Sequence, residues 1–314
     1  MKENLNYIFY KGYYKDLLDI NGEDYEKLMN GRSNKEESNN KSFQSISQNN
    51  NSLFNINITK NNKFDMQLIL KDLEVDTFEL SIEYPGLISG IGIAHQIGIK
   101  EEIKVGFNFD YTTGMPYIPA SSVKGVLHSV FRGEKWIYIA NKMGWNNKEK
   151  VNELEKFIFG VSAENKEKIE EGKDIFFDAI IIQKEKKLLG RESISPHKGK
   201  LKNPIPITML KVVPGNRIKF SFLLQENILR DGEIITVEKK LQLFKEILKD
   251  FGIGAKTNVG FGKLDEVIEN KKETPLCREC GKYPVKKNNK TGKWHLYCQK
   301  CFMEKQKRKK GKEL

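Results

Sequence analysis

Two groups of residues in this chain are spaced for chemistry. Cys277-Arg-Glu-Cys280 and Cys298-Gln-Lys-Cys301 form two knuckles separated by seventeen residues, and they hold all four cysteines of the 314 residues. This spacing matches a four-thiolate zinc ribbon. Four fixed sulfur ligands leave a zinc ion no open position for water, so the expected zinc is structural and not catalytic. The second group is Gly252-Ile-Gly-Ala-Lys-Thr-Asn-Val-Gly260-Phe-Gly262-Lys263, with four glycines in eleven residues. Glycine admits positive φ and close backbone approach. Gly252, Gly254, Gly260 and Gly262 around Lys256, Thr257 and Asn258 are therefore expected to offer amides and a cation to the phosphates of a polyanion. No Gly-Lys-Ser/Thr closes the loop, and the order helix, loop, strand reverses that of a P-loop or dinucleotide fold, which favours an extended nucleic-acid backbone over ATP. A helix C-cap glycine followed by a glycine-rich turn accounts for Gly252 and Gly254 but leaves Gly260 and Gly262 unexplained.

The elements that must position these groups follow from the apolar pattern. Phe78, Leu80, Ile82 and Tyr84 alternate with polar residues up to Pro85-Gly86 and predict a half-buried strand. Val105 to Phe109 and Met115 to Ile118 predict a hairpin turning near Thr112-Thr113-Gly114. Pro119-Ala-Ser121-Ser122-Val-Lys124-Gly125 opens a helix with Ser121 as the expected N-cap, which sets Lys124, His128 and Arg132 along one polar stripe. Ile175 to Gln183 reads as an apolar strand interrupted by Asp178. Pro204 to Val213 and Arg217 to Gln225 read as a hairpin about Pro214-Gly215-Asn216. Gly232 to Phe251 has helical spacing, and a last strand follows at Phe261 to Val267. Simplified, the order is strand, helix, strand, strand, helix, strand, the ferredoxin-like (RRM-like) plan of an α+β domain. An amphipathic helix is expected over Tyr14 to Met29, and the Asn- and Ser-rich stretch from Gly31 to Asn62 is expected to be a flexible insertion.

Charge is distributed unevenly. Residues 271–314 carry fifteen Lys or Arg against four Asp or Glu, which leaves 39 against 38 for residues 1–270 of a chain with formal net charge +12. The main body must then bind anions through local patches and not through its overall field. The tail from Lys305 reads either as a solvated end or as a nucleic-acid contact. No apolar run approaches the ~18 residues that span a bilayer, and the first residues lack the apolar core of a signal peptide, so a cytosolic protein without a membrane partner is expected.

Single residues carry competing readings. His95, after the glycine-rich passage from Ser89, reads as a proton-transfer group, an RNA contact or a satisfied structural histidine. Asp178 reads as a hydrogen-bonded structural carboxylate or, with Asp110, as half of a metal site; Asp110 equally begins a turn. Lys124 at a helix N-terminus opposes the helix dipole, a conflict that an anionic partner relieves. Arg191, His197, Lys198 and Lys200 form a basic loop that could meet RNA or another protein.

Three segments together, Gly90-Ile-Gly-Ile-Ala-His95, Thr113-Gly-Met-Pro-Tyr-Ile-Pro-Ala-Ser-Ser-Val-Lys124-Gly125 and the glycine loop, resemble the RAMP superfamily of CRISPR-associated proteins, in particular the subfamily that closes the subunit stack of type III-B RNA-guided effector complexes. Phe159-Gly160, Phe177-Asp178-Ala179 and Ser195-Pro-His197 ahead of Asn203-Pro-Ile-Pro-Ile agree with it. The resemblance implies a non-catalytic subunit of an antiviral ribonucleoprotein that holds the 3′ part of the guide RNA and the guide–target duplex, with other RAMP subunits as partners. The alternative is a metal-independent RAMP-type endoribonuclease that processes guide precursor. RNA contacts are expected at His95, Ser121, Ser122, Lys124, Arg132 and the glycine loop, with Zn at the four cysteines. The expected domains are 1–74, an N-terminal helix and flexible insertion; 75–270, the RAMP domain; and 271–314, the basic ribbon. The insertion and the ribbon depart from the family pattern.

Overall fold

The computed structural model describes residues 4–15, 37–56, 75–89, 91–92, 95, 101–161, 170–195, 206–267, 277–280 and 296–303. Met1–Val267 and Ile268–Leu314 are two compact units. No helix among the described residues is long and apolar enough to cross a membrane.

The sheet at the centre of the first unit is built from β1 (Asp76–Ile82), β6 (Ala179–Ile182), β9 (Arg217–Leu223) and β12 (Leu264–Glu266) in the antiparallel order β12-β1-β9-β6. A short β2 (Tyr117–Ile118) extends the β6 edge, while β3 (Gly160–Val161) pairs with β4 (Glu170–Glu171) and β10 (Asn227–Ile228) with β11 (Ile234–Ile235) outside this sheet. Alternation in β1 buries Leu80 and Ile82, and the matching face of β9 buries Ile218, Phe220 and Phe222. Helix α6 (Val237–Phe251), capped by Thr236 Oγ1 accepting from the Lys239 amide at 3.3 Å, covers this face with Leu243, Phe244, Ile247 and Leu248. The Phe222 and Phe244 rings meet at 5.3 Å. Helix α3 (Ala120–Ser129) buries Val123 and Leu127, as its spacing predicts. It is followed by α4 (Trp136–Met143) and α5 (Lys148–Phe159).

The strand expected over Ile175 to Gln183 is split into β5 (Ile175–Phe176) and β6, both paired with β9. Phe176 lies opposite Phe222 and Ile180 opposite Lys219, so four steps on one strand face three on the other. This is a β-bulge, which re-aims the side chain it contains. The extra residue turns Asp178 outward, where its Oδ1 accepts from the Ala120 amide at 2.7 Å and caps α3. Ser121 is therefore not the N-cap: Pro119 occupies that position, and its own side chain makes no cap bond.

The hairpin expected about Pro214-Gly215-Asn216 does not form. Instead β8 (Ile207–Val212) pairs with β7 (Leu189–Ile194), while β9 joins the central sheet. Asn216 holds the corner between the two sheets and is fully buried. Its Oδ1 accepts from the Lys184 and Glu185 amides at 2.9 and 3.2 Å, and its Nδ2 donates to the Lys187 and Val213 carbonyls at 3.0 and 3.1 Å. Asn216→Ala strands four backbone groups and is expected to cost about 2–3 kcal/mol in urea denaturation. A loss below about 0.5 kcal/mol would show that the corner holds without it.

The Asn-rich stretch is not a flexible insertion over Glu37–Asn55, which form helix α2. Ile46, Asn50 and Leu53 lie on one buried stripe. Asn50 Oδ1 accepts from the Tyr13 hydroxyl at 2.7 Å, and Asn49 Nδ2 donates to the Tyr13 carbonyl at 2.8 Å. The asparagines thereby tie α2 to the residues just after α1 (Leu5–Tyr10). The helix expected over Tyr14 to Met29 lies almost wholly outside the described residues.

Candidate nucleic-acid interface

The glycine loop starts where α6 ends. Gly252 has φ 70° and donates to the Leu248 carbonyl at 3.0 Å. The loop closes on itself through the Ile253 amide to the Gly262 carbonyl at 3.0 Å, and it is clamped to the turn after β1 by Gly262 N–H to Gly86 O at 2.8 Å and Ala255 N–H to Ile88 O at 2.7 Å. A Cβ on Gly262 would lie 1.8 Å from the Ile253 carbonyl oxygen, and one on Gly254 2.3 Å from that of Ile88. Glycine is required here because the chain touches its own backbone. Gly252 and Gly262 are buried with their amides donated to the Leu248 and Gly86 carbonyls, whereas the sequence reading has them offering amides to a ligand.

The tip has the opposite character. Gly254, Lys256, Asn258 and Val259 are exposed, and Thr257 and Gly260 are half-buried. Lys256 is held at φ 63°, a left-handed conformation uncommon for a side chain this long, and a single 3₁₀ turn, Thr257–Val259, follows it. Its carbonyl accepts from Val259 and Phe261 at 3.1 and 3.3 Å. The amides of Lys256, Thr257 and Asn258 have no hydrogen-bond partner among the described residues. Three successive partnerless N–H groups next to a lysine are donors of the kind that phosphate oxygens take. Two further cations lie close in the chain or in space: exposed Lys263, which ends the glycine motif, and Lys135, missed by the sequence reading, whose Nζ is 5.4 Å from the centre of the Phe251 ring.

The other expected contacts are not gathered at this loop. Leu264, just after it, pairs with Ile82 at the end of β1, whereas Phe177 N–H donates to the carbonyl of Ser221, the partner of Thr77 at the start of β1. Asp178 and the helix it caps therefore begin about 15–20 Å away along the strand at ~3.3 Å per residue. Ser121 and Ser122 are exposed at that opposite end, and Lys124 Nζ lies 5.7 Å from the Phe176 ring centre. Arg132 is exposed and its Nη2 is 3.2 Å from His128 Nδ1, while His128 Nε2 is 2.8 Å from Glu155 Oε1 and the His128 ring stacks on Phe159. Burial, with Arg132 and Lys124 nearby, holds the His128 ring below the usual histidine range despite Glu155. This neutral ring links Arg132 to Glu155.

His95 is only 5 % exposed and is no surface contact. It stacks on Tyr13 at 4.3 Å, and its Nδ1 and Nε2 reach the carbonyls of Ile103 at 2.8 Å and Phe9 at 2.9 Å. Burial lowers its pKa, opposed by the two carbonyls, which favour the doubly protonated ring. With both nitrogens spent on backbone, it has neither the access nor the free nitrogen that proton transfer to a substrate needs. Asp110 is likewise committed to a turn: its Oδ1 accepts from the Thr112 and Thr113 amides at 3.1 and 2.6 Å. Arg191 pairs with Glu101, and His197, Lys198 and Lys200 lie outside the described residues. The sheet face opposite α6 is set by alternation to carry Thr77, Glu79, Ser81, Arg217, Lys219 and Ser221. None of these is aromatic, so the stacking surface of an RRM sheet is absent from these positions.

In the second unit the sulfurs of Cys277, Cys280, Cys298 and Cys301 all lie within 4.8 Å of one another and could hold a metal ion. Cys280 Sγ and Cys298 Sγ are 3.9 Å apart, close to the ~3.8 Å edge of a tetrahedron with ~2.3 Å metal–sulfur bonds and far from a disulfide.

An antiparallel α+β domain with a glycine loop clamped beside its first strand is the arrangement found here, and residues 79–265, more than half of the chain, match the model of the RAMP superfamily; the chain belongs to that superfamily. Among curated proteins it is 28 % identical over 208 residues to the CRISPR system CMR subunit Cmr6 of Saccharolobus solfataricus (64 % of this chain, 62 % of the relative). It is 30 % identical over 234 residues to the CRISPR system Cmr subunit Cmr6 of Pyrococcus furiosus (57 % and 65 %). The matches span less than two thirds of either relative. A chain in the cryo-EM structure of the Type III-B Cmr-beta bound to cognate target RNA has the same fold, with TM-score 0.52 at 21 % identity over 84 % of this chain and 90 % of that one.

Proposed function

We propose that this chain is a non-catalytic, RNA-holding subunit of a type III-B RNA-guided effector complex, with guide RNA, its complementary target and other RAMP subunits as partners. Membership of the RAMP superfamily and the similarity to two Cmr6 subunits support the assembly. The sheet order β12-β1-β9-β6, with α3 and α6 in the two crossings, supports a ferredoxin-like plan for the domain. The observation that carries RNA binding is the loop tip, where an exposed Lys256 in the left-handed region precedes amides with no internal partner. Such donors recognise phosphates and read no base, as a subunit serving guides of differing sequence requires. Ser121, Ser122, Lys124 and Arg132 meet RNA at a point separate from the loop. The cytosol is the compartment in which such a complex meets its RNA. In the second unit the four cysteines hold a structural Zn(II).

Lys256→Ala should weaken binding of a labelled single-stranded RNA about three- to tenfold and make the slope of log affinity against log salt shallower by about 0.7–1, whatever the RNA sequence. Fluorescence anisotropy at several salt concentrations measures both quantities. Unchanged affinity and slope would remove the loop from RNA binding and this reading with it.

A further inference from the structure

The turn that clamps the glycine loop presents an aromatic ring with no role in the core. Tyr84 is 83 % exposed, the highest value among the large hydrophobic residues described. Its neighbours on both sides are fixed. Glu83 N–H donates to the Lys263 carbonyl at 3.0 Å and Gly86 N–H to the Glu83 carbonyl at 2.8 Å, while Leu87 and Val212 exchange amide–carbonyl bonds at 3.0 and 2.8 Å. On the loop side Gly86 O accepts from Gly262, and Pro85 Cδ comes within 3.6 Å of where a Cβ on Gly260 would stand. The Tyr84 backbone is thus pinned between β1 and the same loop whose tip holds Lys256, Val259 and the partnerless amides. A rigid turn offering one ring beside phosphate donors, with exposed Val259 and half-buried Pro85 as its apolar neighbours among the described residues, is poorly suited to a hydrophobic peptide. It is well suited to a nucleotide, which has a planar face and a phosphate a short distance apart.

We propose that Tyr84 is a base-stacking platform: one unpaired base of a single-stranded RNA lies on its ring while the adjacent phosphate takes the amides and ammonium at Lys256. This rests on the reading of the glycine loop as an RNA-holding surface. Every base has a π-face, so the subsite tolerates any sequence but requires a base. It needs an unstacked nucleotide and therefore sits at an end or a break of a duplex. Its contribution is apolar and neutral, so it adds affinity without adding salt dependence.

The test uses the full chain and an oligouridine of about 12 nucleotides, intact or abasic along its whole length. Tyr84→Ala is expected to cost about tenfold in affinity for the intact strand with an unchanged salt slope, and Tyr84→Trp to keep or improve binding. Wild type should lose about the same factor on the abasic strand, and Tyr84→Ala should lose nothing further there. Full affinity of Tyr84→Ala, additive losses of the substitution and the abasic strand, or equal rescue by Tyr84→Leu would each overturn stacking. If those results came with an intact Lys256→Ala defect, the loop reading would survive; if Lys256→Ala also bound normally, that reading would fall as well. Tyr84 is exposed, so an unchanged melting temperature is expected for all three variants.

Discussion

Removal of metal from the C-terminal unit, by a chelator or by Cys277→Ser, is expected to unfold residues 268–314 while leaving the cooperative transition of residues 1–267 in place. The described core of this unit is Cys277 and Cys298 with Cys280, Tyr297 and Cys301 against them, whereas Leu296, Phe302 and Met303 are half exposed. A unit of this size seldom supports itself on apolar burial. Its four sulfurs instead lie within 4.8 Å of one another, close enough to share one metal ion. The apparent binding energy of structural zinc in small fingers is about 10–16 kcal/mol near neutral pH, more than enough to decide between folded and unfolded for so small a module. Removing one thiolate leaves an open, weaker site, so Cys277→Ser should behave much like chelation. Hydrogen exchange read by mass spectrometry separates the units: protection should vanish after residue 268 and persist before it, and one equivalent of zinc should be released to a chromogenic chelator. Retained protection in the chelated protein would show that the ribbon folds without metal. An equal loss in both units would show that they do not fold separately.

The parts of this molecule that were legible in its sequence are those where one local signal decides the outcome. Alternation fixed the face of β1, helical spacing fixed α3 and α6, and the cysteine spacing brought four sulfurs together. The glycine loop was legible as a loop but only half legible as a site. Gly252 and Gly262 could not be told from Gly254 without knowing that their missing Cβ atoms face the chain's own carbonyls. Other features depend on distant partners. Leu189–Ile194 carries a glycine and two charges and does not read as a strand, yet β8 takes it as partner and leaves β9 to the central sheet. Asp178 looked like a charge inside an apolar strand until the bulge turned it out to cap α3. The start of α3 falls at the end of the sheet far from the glycine loop because β2 runs down the β6 edge before the helix begins. The Asn-rich stretch was misjudged because its asparagines serve as ties to Tyr13, a role that composition cannot report.

Lys240→Met is expected to cost about 3–5 kcal/mol of stability in urea denaturation, the range for breaking a buried ion pair from one side. Lys240 stands on the buried stripe of α6 with 0 % exposure. Its Nζ donates to Asp174 Oδ2 at 2.9 Å, to Asp174 Oδ1 at 3.2 Å and to the Gln225 carbonyl at 2.6 Å, and lies 4.2 Å from the Phe157 ring centre. The Asp174 carboxylate, 4 % exposed, has only the Gln225 amide at 3.0 Å as a further donor among the described residues. Without the ammonium it is a charge with one hydrogen bond in an apolar setting, and the protein must protonate it or admit water. The pair itself is worth much less than this loss suggests, because both ions were desolvated to make it. Lys240→Met with Asp174→Asn removes the two charges together, keeps an acceptor for the Gln225 amide, and should recover most of the stability. A single variant within about 1 kcal/mol of wild type, or a double variant no better than the single, would contradict this account. The pair joins the start of α6 to the strand ends at Asp174 and Gln225, about 18 Å along the helix from Gly252 at ~1.5 Å per residue. RNA affinity of the folded fraction should therefore be unchanged in Lys240→Met, whereas Lys256→Ala should lose affinity at full stability. This opposition separates the residue that holds the helix from the one at the tip of its loop.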